Sequence, residues 1–266
     1  MHPIERLRMV ARSQSAPAEL LVEESAAALA AFRDDPAGMV SACRRIVDRH
    51  PTCGPLWWLA ARILTAPEPM TEAYSSAEMM SDDPTPALLA GSIPDGASVV
   101  VVGWPEQTVR ALRRRGDVAV TIIDSDGESE EAVRQLLRME IDASSAASRN
   151  TSAVVEAADL VLVEAFAAGP ERALVPAGSR AAALVARESG VPVWIVVGVG
   201  RLMPERMFDA LNSRWELRSD PLYAPEELFP LDLADRAAAE IGVVDIAAAL
   251  LATDCPIAPE LFRPPS

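Results

Sequence analysis

Residues 97–124 read ASVVVVGWPEQTVRALRRRGDVAVTIID, and this stretch decides the fold class. Its run of valines is typical of a parallel strand that is buried on both faces. A helical segment follows, with Pro105 in its first turn, where a missing N–H is tolerated. A second β-branched run ends at Asp124. The order strand, helix, strand predicts two parallel strands joined by a right-handed crossover.

The same alternation continues along the chain. Helical segments are predicted at 128–138, 150–158 and 178–190, and strands at 139–144, 159–165 and 191–198. This pattern predicts an α/β fold with a Rossmann-like, doubly wound parallel sheet. The segment after 165 reads as a small-residue loop that leads from the strand to the helix at 178. Residues 202–266 read as mixed structure with a helix at about 232–252.

The N-terminal third has helical periodicity instead. Met39, Cys43, Trp57 and Trp58 recur at helical spacing and are expected to lie in the core. A segment rich in Pro, Ser and Asp follows, which is typical of a boundary. We therefore predict an N-terminal helical domain over residues 1–92 and a Rossmann-like α/β domain over 93–266.

The composition excludes several classes of function. All 24 basic residues are arginine, against 39 acids, and the formal net charge is −15. A negative field of this size argues against nucleic-acid binding, and the absence of lysine excludes Schiff-base and P-loop chemistry. Three unevenly spaced cysteines suggest neither a disulfide framework nor a zinc site. No metal, cofactor or membrane partner is expected, and a cytoplasmic protein is the default expectation.

The first strand does not lead into a dinucleotide site. Such a site needs G-x-G-x-x-G, so that the backbone can approach a pyrophosphate. Here only Gly103 is present, and Trp104-Pro105 would block that approach. Asp124 lies where a ribose-binding acid would lie, but that position alone does not make an NAD site.

Two sets of residues are candidates for ligand binding. Asp124, Asp126 and Glu164 follow strands, so they are expected at one sheet edge. There they would hold a divalent cation, bind a positively charged or hydroxyl-rich ligand, or merely cap loops. The second set is Gly178, Ser179 and Arg180, which open a helix. They would form a generic anion site or lie at the surface.

Four segments, in order, resemble one known family. They are HPTCGPLWWLA (50–60), VAVTIIDSDG (118–127), the long stretch 157–197 and PLDLADRAAAEIGVVD (230–245). The family contains the α, β and δ subunits of translation initiation factor 2B, with methylthioribose-1-phosphate isomerase and ribose-1,5-bisphosphate isomerase. The resemblance implies a helical and a Rossmann-like domain, a pocket between them, and a homodimer.

The polar positions of that family are replaced in this chain. The isomerase cysteine falls on Gly103-Trp104-Pro105, the acid/base aspartate on Phe166, the Asn-Lys pair on Pro176-Ala177, and two arginines on His50 and Asp126. His50 is therefore a further candidate for ligand binding, and catalysis is in doubt. The resemblance favours a non-catalytic protein that senses a sugar phosphate or nucleotide, or an interaction protein.

Two alternatives stay open. The first is an enzyme of altered chemistry, isomerase-like, that acts on a phosphorylated sugar or nucleotide through Asp124, Glu164, Ser179 and Arg180. The second is a true subunit of the translation factor. The expected partners are a second copy of the chain and a phosphorylated small molecule, and a translation-factor subunit would also require a partner initiation factor.

Overall fold

A computed structural model describes residues 16–125, 127, 129–220 and 222–263. Its N-terminal part is helical, as predicted. The helices are α1 (Ala18–Leu29), α2 (Pro36–Arg49), α3 (Gly54–Thr65), α4 (Pro69–Ser81) and α5 (Thr85–Ser92). Met39, Cys43, Trp57 and Trp58 are all buried in the core that these helices share, which confirms their predicted place.

A central seven-stranded sheet follows the helices and confirms the α/β fold. The ten strands of the described chain are β1 (Ser98–Val102), β2 (Ala119–Asp124), β3 (Asp142–Ala147), β4 (Leu160–Glu164), β5 (Ala167–Ala168), β6 (Arg172–Pro176), β7 (Val193–Val196), β8 (Glu226–Pro230), β9 (Arg236–Ala239) and β10 (Gly242–Val244). The central sheet has the order β10-β9-β7-β4-β1-β2-β3. Its pairs are parallel except β9–β10. Strand order reverses between β1 and β4, where such sheets open a crevice.

Six further helices accompany the strands. They are α6 (Glu106–Leu112), α7 (Ser129–Arg138), α8 (Thr151–Glu156), α9 (Ser179–Ser189), α10 (Glu205–Arg218) and α11 (Ile246–Leu251). The first four lie where the sequence predicts them. Helix α9 ends at Gly190, whose φ of +72° is the left-handed conformation that a glycine cap adopts.

The predicted loop after β4 is wrong. It contains β5 and β6, which form a second, antiparallel sheet with β8 in the order β5-β6-β8. Strand β8 lies some fifty residues further along the chain. Local sequence therefore carries no sign of this pairing.

The predicted helix at 232–252 is also wrong. Its alanine-rich start forms β9, which pairs with β7, and turns back through Gly242 into β10. The φ of Gly242 is +120°, which no helix accepts. Helix propensity is a weak preference, and here the sheet pairing overrides it. Only α11 remains helical.

Helix α10 packs into the N-terminal helical core and was not predicted. Met207, Phe208, Leu211 and Trp215 lie on its buried face and share one core with α1 to α4. The N-terminal helices are thus held by a later segment of the chain, which fixes them over the carboxyl edge of the central sheet. The division at residue 92 stays a prediction.

Candidate functional site

A cavity of about 230 Å³ lies between the N-terminal helices and the carboxyl ends of β1 and β4. The turn between α2 and α3 supplies one wall through His50, Thr52 and Cys53. The end of β4 supplies Glu164, and the start of α6 supplies Glu106. Its place matches the pocket that the family resemblance predicts, at the switch point of the sheet.

The family's chemistry-bearing positions converge on this cavity. Trp104, Pro105, Phe166, Pro176 and His50 all line it. Four of these five side chains cannot transfer a proton at neutral pH. Most of the described positions that the resemblance identifies as replaced therefore line one chamber.

Glu164 lines the cavity, and its carboxylate already accepts four hydrogen bonds from other residues of the protein. One carboxylate oxygen accepts from the backbone N–H of Gln107 (3.2 Å) and from Nη2 of Arg201 (3.0 Å). The other accepts from the N–H of Thr108 (2.9 Å) and from its hydroxyl (3.1 Å). The Arg201 and Glu164 side chains are only 5% and 7% exposed. Glu164 thus caps the start of α6 and forms a buried ion pair.

A second buried link holds the same region. Asp83 accepts from the backbone N–H of Val199 (3.0 Å) and from the side-chain amide of Gln107. A Cβ at Gly198 would meet the Asp83 carboxylate and the Gln107 amide at 2.2–2.4 Å. A larger residue there would have to displace these two side chains and break their hydrogen bond. This network connects the end of the helical part to α6 and to the loop after β7.

Two further carboxylates that line the cavity accept fewer hydrogen bonds from the described residues. Glu106 accepts one hydrogen bond from the N–H of Ala18 (3.2 Å), and Glu226 accepts one from the indole of Trp215 (3.2 Å). Burial raises the pKa of both side chains above 4.5. For Glu106, the Arg201 cation opposes this rise of the pKa and the Glu164 carboxylate adds to it.

Cys53 lines the cavity as a protonated thiol. Burial raises its pKa to about 11, against weaker opposing effects of a backbone hydrogen bond and of Arg201. Since the thiolate is the nucleophilic form, burial does not activate this cysteine as a nucleophile.

The structure does not bring Asp124 to the cavity that Glu164 lines. Asp124 caps its own loop by accepting from the N–H of Gly127 (2.8 Å) and Ser129 (3.4 Å), and it does not line the cavity. Asp126 lies outside the described residues. Within the described part of the chain, no group of three or more His, Cys, Asp or Glu side chains is arranged to hold a metal ion.

The first residues of α9 do not line the cavity, although Pro176, just before them, does. Gly178 has a φ of +94°, and the hydroxyl of Ser179 donates to the carbonyl of Pro176 (2.6 Å). The backbone N–H of Arg180 donates to the Glu227 carboxylate (2.8 Å). An acid of the protein itself therefore occupies this helix start, and the Arg180 side chain is exposed.

Sequence reasoning missed Glu106, Arg201 and Glu226. Glu106 and Arg201 each follow a strand of the central sheet, and that signal could have found them. Glu226 faces the cavity only because β8 pairs with β6, where it lies opposite Pro176. No local pattern marks it.

Comparison with known proteins identifies the fold. No protein-family profile and no curated protein matches the sequence. Solved structures do match. A Pyrococcus horikoshii translation initiation factor eIF-2B has a TM-score of 0.73 at 15% identity, covering 91% of this chain and 96% of its own. Chaetomium thermophilum eIF2B beta has a TM-score of 0.76 at 17% identity, covering 97% and 92%.

A third similar structure is an assembly. The tetrameric eIF2B-beta2-delta2 complex of Chaetomium thermophilum has a TM-score of 0.76 at 15% identity, covering 93% of this chain and 92% of that chain. Among the described helices of the present chain, none has the length and apolar character needed to cross a membrane. The chain has the fold of the α, β and δ subunits of translation initiation factor 2B.

Proposed function

We propose that this chain is a non-catalytic protein of the initiation factor 2B fold that senses a small ligand in the cavity. One observation carries the proposal. The positions that hold the isomerase chemistry in the resembling family line the cavity here as Trp104, Pro105, Phe166 and Pro176. In this proposal the chamber is kept, whereas the cysteine and the aspartate of the isomerases are replaced.

The size of the cavity favours a sugar over a nucleotide. About 230 Å³ is less than the roughly 300–1,000 Å³ of pockets that hold drug-sized ligands. A monosaccharide or its phosphate suits such a space better than a mononucleotide. Arg201 is a cation in the wall, but its Nη2 is already bound to Glu164.

Turnover assays test the loss of catalysis. We expect no product from ribose-1,5-bisphosphate or methylthioribose-1-phosphate at any enzyme concentration. The control is His50→Ala, which removes a polar side chain that lines the cavity. Turnover that survives purification and disappears in this variant would contradict the proposal.

Thermal unfolding tests ligand binding. Ribose, ribose 5-phosphate and AMP are added to the purified chain, and a sugar is expected to raise the Tm. A ligand at 100 times its Kd adds about 2.7 kcal/mol to the free energy of unfolding. Thr52→Phe, which fills the cavity, should abolish the shift, whereas Ser189→Phe at the surface should preserve it. No shift with either sugar speaks against a sugar sensor.

The alternative is an enzyme of altered chemistry, because His50, Cys53 and Glu106 share the cavity. Its predicted polar set of Asp124, Glu164, Ser179 and Arg180 contributes only Glu164 to that space. Products from a panel of sugar phosphates, lost in Glu106→Gln, would favour this alternative. The raised pKa of Cys53 argues against a thiolate mechanism.

The proposal includes assembly into a homodimer and, as an interaction protein, contact with other subunits. The support is the beta2-delta2 tetramer formed by a protein of the same fold. Light scattering on the purified chain should give twice the mass of 28.4 kDa. A monomer at micromolar concentration would exclude the homodimer. A role as a translation-factor subunit requires a stable complex with a partner initiation factor in pull-down.

A further inference from the structure

We propose that the ligand of this cavity carries an ammonium group together with hydroxyl groups, as an amino sugar does. The inference rests on the proposed function, since it names the chemical class of the ligand at the same site. Three properties of the cavity wall support it: the balance of charge, the unused hydrogen-bonding capacity of two carboxylates, and the aromatic faces beside them.

The charge balance of the wall is negative. Three carboxylates, Glu106, Glu164 and Glu226, line the cavity against one guanidinium, that of Arg201, and one imidazole, that of His50, so acids outnumber basic groups. Glu164 and Arg201 neutralise each other at 3.0 Å. The charge that remains for a ligand is therefore that of Glu106 and Glu226. A cation is attracted to such a site, and a phosphate is repelled.

The two remaining carboxylates have acceptor capacity to spare. A carboxylate can accept about four hydrogen bonds, and Glu164 accepts four. Among the described residues, Glu106 and Glu226 each accept a single one from another residue. An ammonium group, which donates three hydrogen bonds and brings the opposite charge, matches this need.

Aromatic and cationic groups complete the wall. Trp104 and Phe166 line the same space, and aromatic faces attract ammonium groups. Arg201 is 4% exposed, and its Nε–H has no acceptor within the described residues. A buried donor without an acceptor is unfavourable, so a ligand oxygen that reached this N–H would be bound. The wall thus suits a hydroxylated amine.

Isothermal titration calorimetry with matched sugars tests the class of ligand. Glucosamine, glucose and glucose 6-phosphate share one ring and differ in charge. We expect glucosamine to bind about tenfold or more tightly than glucose, the ratio of one charge-assisted hydrogen bond, and glucose 6-phosphate to bind most weakly. Tightest binding of the phosphate overturns the amine and leaves the sugar sensor standing. Binding of none of the three overturns both.

Substitutions locate the ammonium group. Glu226→Gln and Glu106→Gln keep the shape of the side chain and remove its charge, so each should weaken glucosamine binding about tenfold more than it weakens glucose binding. The control Glu188→Gln lies on the exposed face of α9 and should change neither. Circular dichroism verifies folding. If Glu106→Gln does not fold, Glu226→Gln decides. Unchanged glucosamine affinity in the folded variant overturns the inference.

Discussion

At the start of two helices of this protein, backbone N–H groups donate hydrogen bonds to a glutamate carboxylate from a β-strand. At α6 the acid is Glu164, which is buried, accepts four hydrogen bonds and pairs with Arg201. At α9 the acid is Glu227, which is half-buried and accepts one hydrogen bond, from Arg180 N–H. Helix starts favour negative charge in both places. The sequence predicted a ligand site at the start of α9, whereas it is the start of α6 that lines the cavity.

The difference between these helix starts is one of surroundings. Water can solvate Glu227 if its partner is lost. Inside the protein, a charge that loses its partner has no water to replace it. The same interaction therefore serves as a minor cap at the surface and as a structural requirement beside the cavity.

The largest expected effect is that of Arg201→Met. This change leaves Glu164 charged and buried without its cation, and it should lower the free energy of unfolding by about 3–5 kcal/mol. Urea denaturation measures the loss. Arg180→Met, at the exposed start of α9, should change stability by less than about 0.5 kcal/mol. Equal losses in the two variants would remove the contrast between the buried and the exposed start.

The variant Glu164→Gln/Arg201→Met then separates charge from packing. It has no buried charge at the pair, so part of the stability lost in Arg201→Met should return. A double variant less stable than either single one would show that hydrogen bonding at α6, and not the charge pair, dominates.

The next effect concerns a third helix start on the buried side. The N–H of Gly54, at the start of α3, donates to the carbonyl of Phe166 (3.1 Å), and a Cβ there would lie 2.5 Å from that oxygen. Gly54→Ala should cost about 1–3 kcal/mol, because backbone must move. Thermal unfolding measures this. Gly91→Ala, in α5 with open space around it, should instead stabilise by about 0.5–1 kcal/mol.

A smaller effect is expected at the exposed helix start. Glu227→Ala removes the acceptor from the N–H of Arg180 and should cost about 1 kcal/mol. Glu227→Gln keeps an acceptor and loses only the charge, so it should cost less. The loss for Glu227→Ala is measured by denaturation. A loss as large as that of Arg201→Met would mean that burial does not determine how much stability is lost with the partner.

The smallest effect is a pH dependence beside the buried start. Burial raises the folded-state pKa of Glu106 and Glu226 above 4.5. The stability that each contributes is therefore complete below pH 4.5 and is lost as the pH rises through the folded pKa. The Glu106→Gln/Glu226→Gln variant lacks this loss. Its stability relative to the parent protein should rise between pH 4 and pH 7, and a constant difference would contradict the raised pKa values.

The sequence predicted the position of the cavity better than the interactions of the side chains that line it. Resemblance placed Phe166 and Pro176 at a pocket, and the structure has both in one wall. Glu164, a candidate from the sequence, also lines the cavity. No local pattern in the sequence indicates the four donors that bind its carboxylate. Arg201 and Glu226 were missed, since their places depend on a loop and on a strand pairing from distant parts of the chain.

What the sequence alone determined is the α/β alternation and the helical N-terminal part. Runs such as residues 98–102 and the periodic spacing around Trp57 and Trp58 are local consequences of burial, so they can be read directly. Tertiary structure alone decided that 236–239 is a strand and that β5, β6 and β8 form a sheet. It also decided that, within the described part of the chain, Glu164 accepts four hydrogen bonds whereas Glu106 and Glu226 accept one each from other residues. Those outcomes depend on partners distant in sequence, whose hydrogen bonds and burial outweigh local propensity.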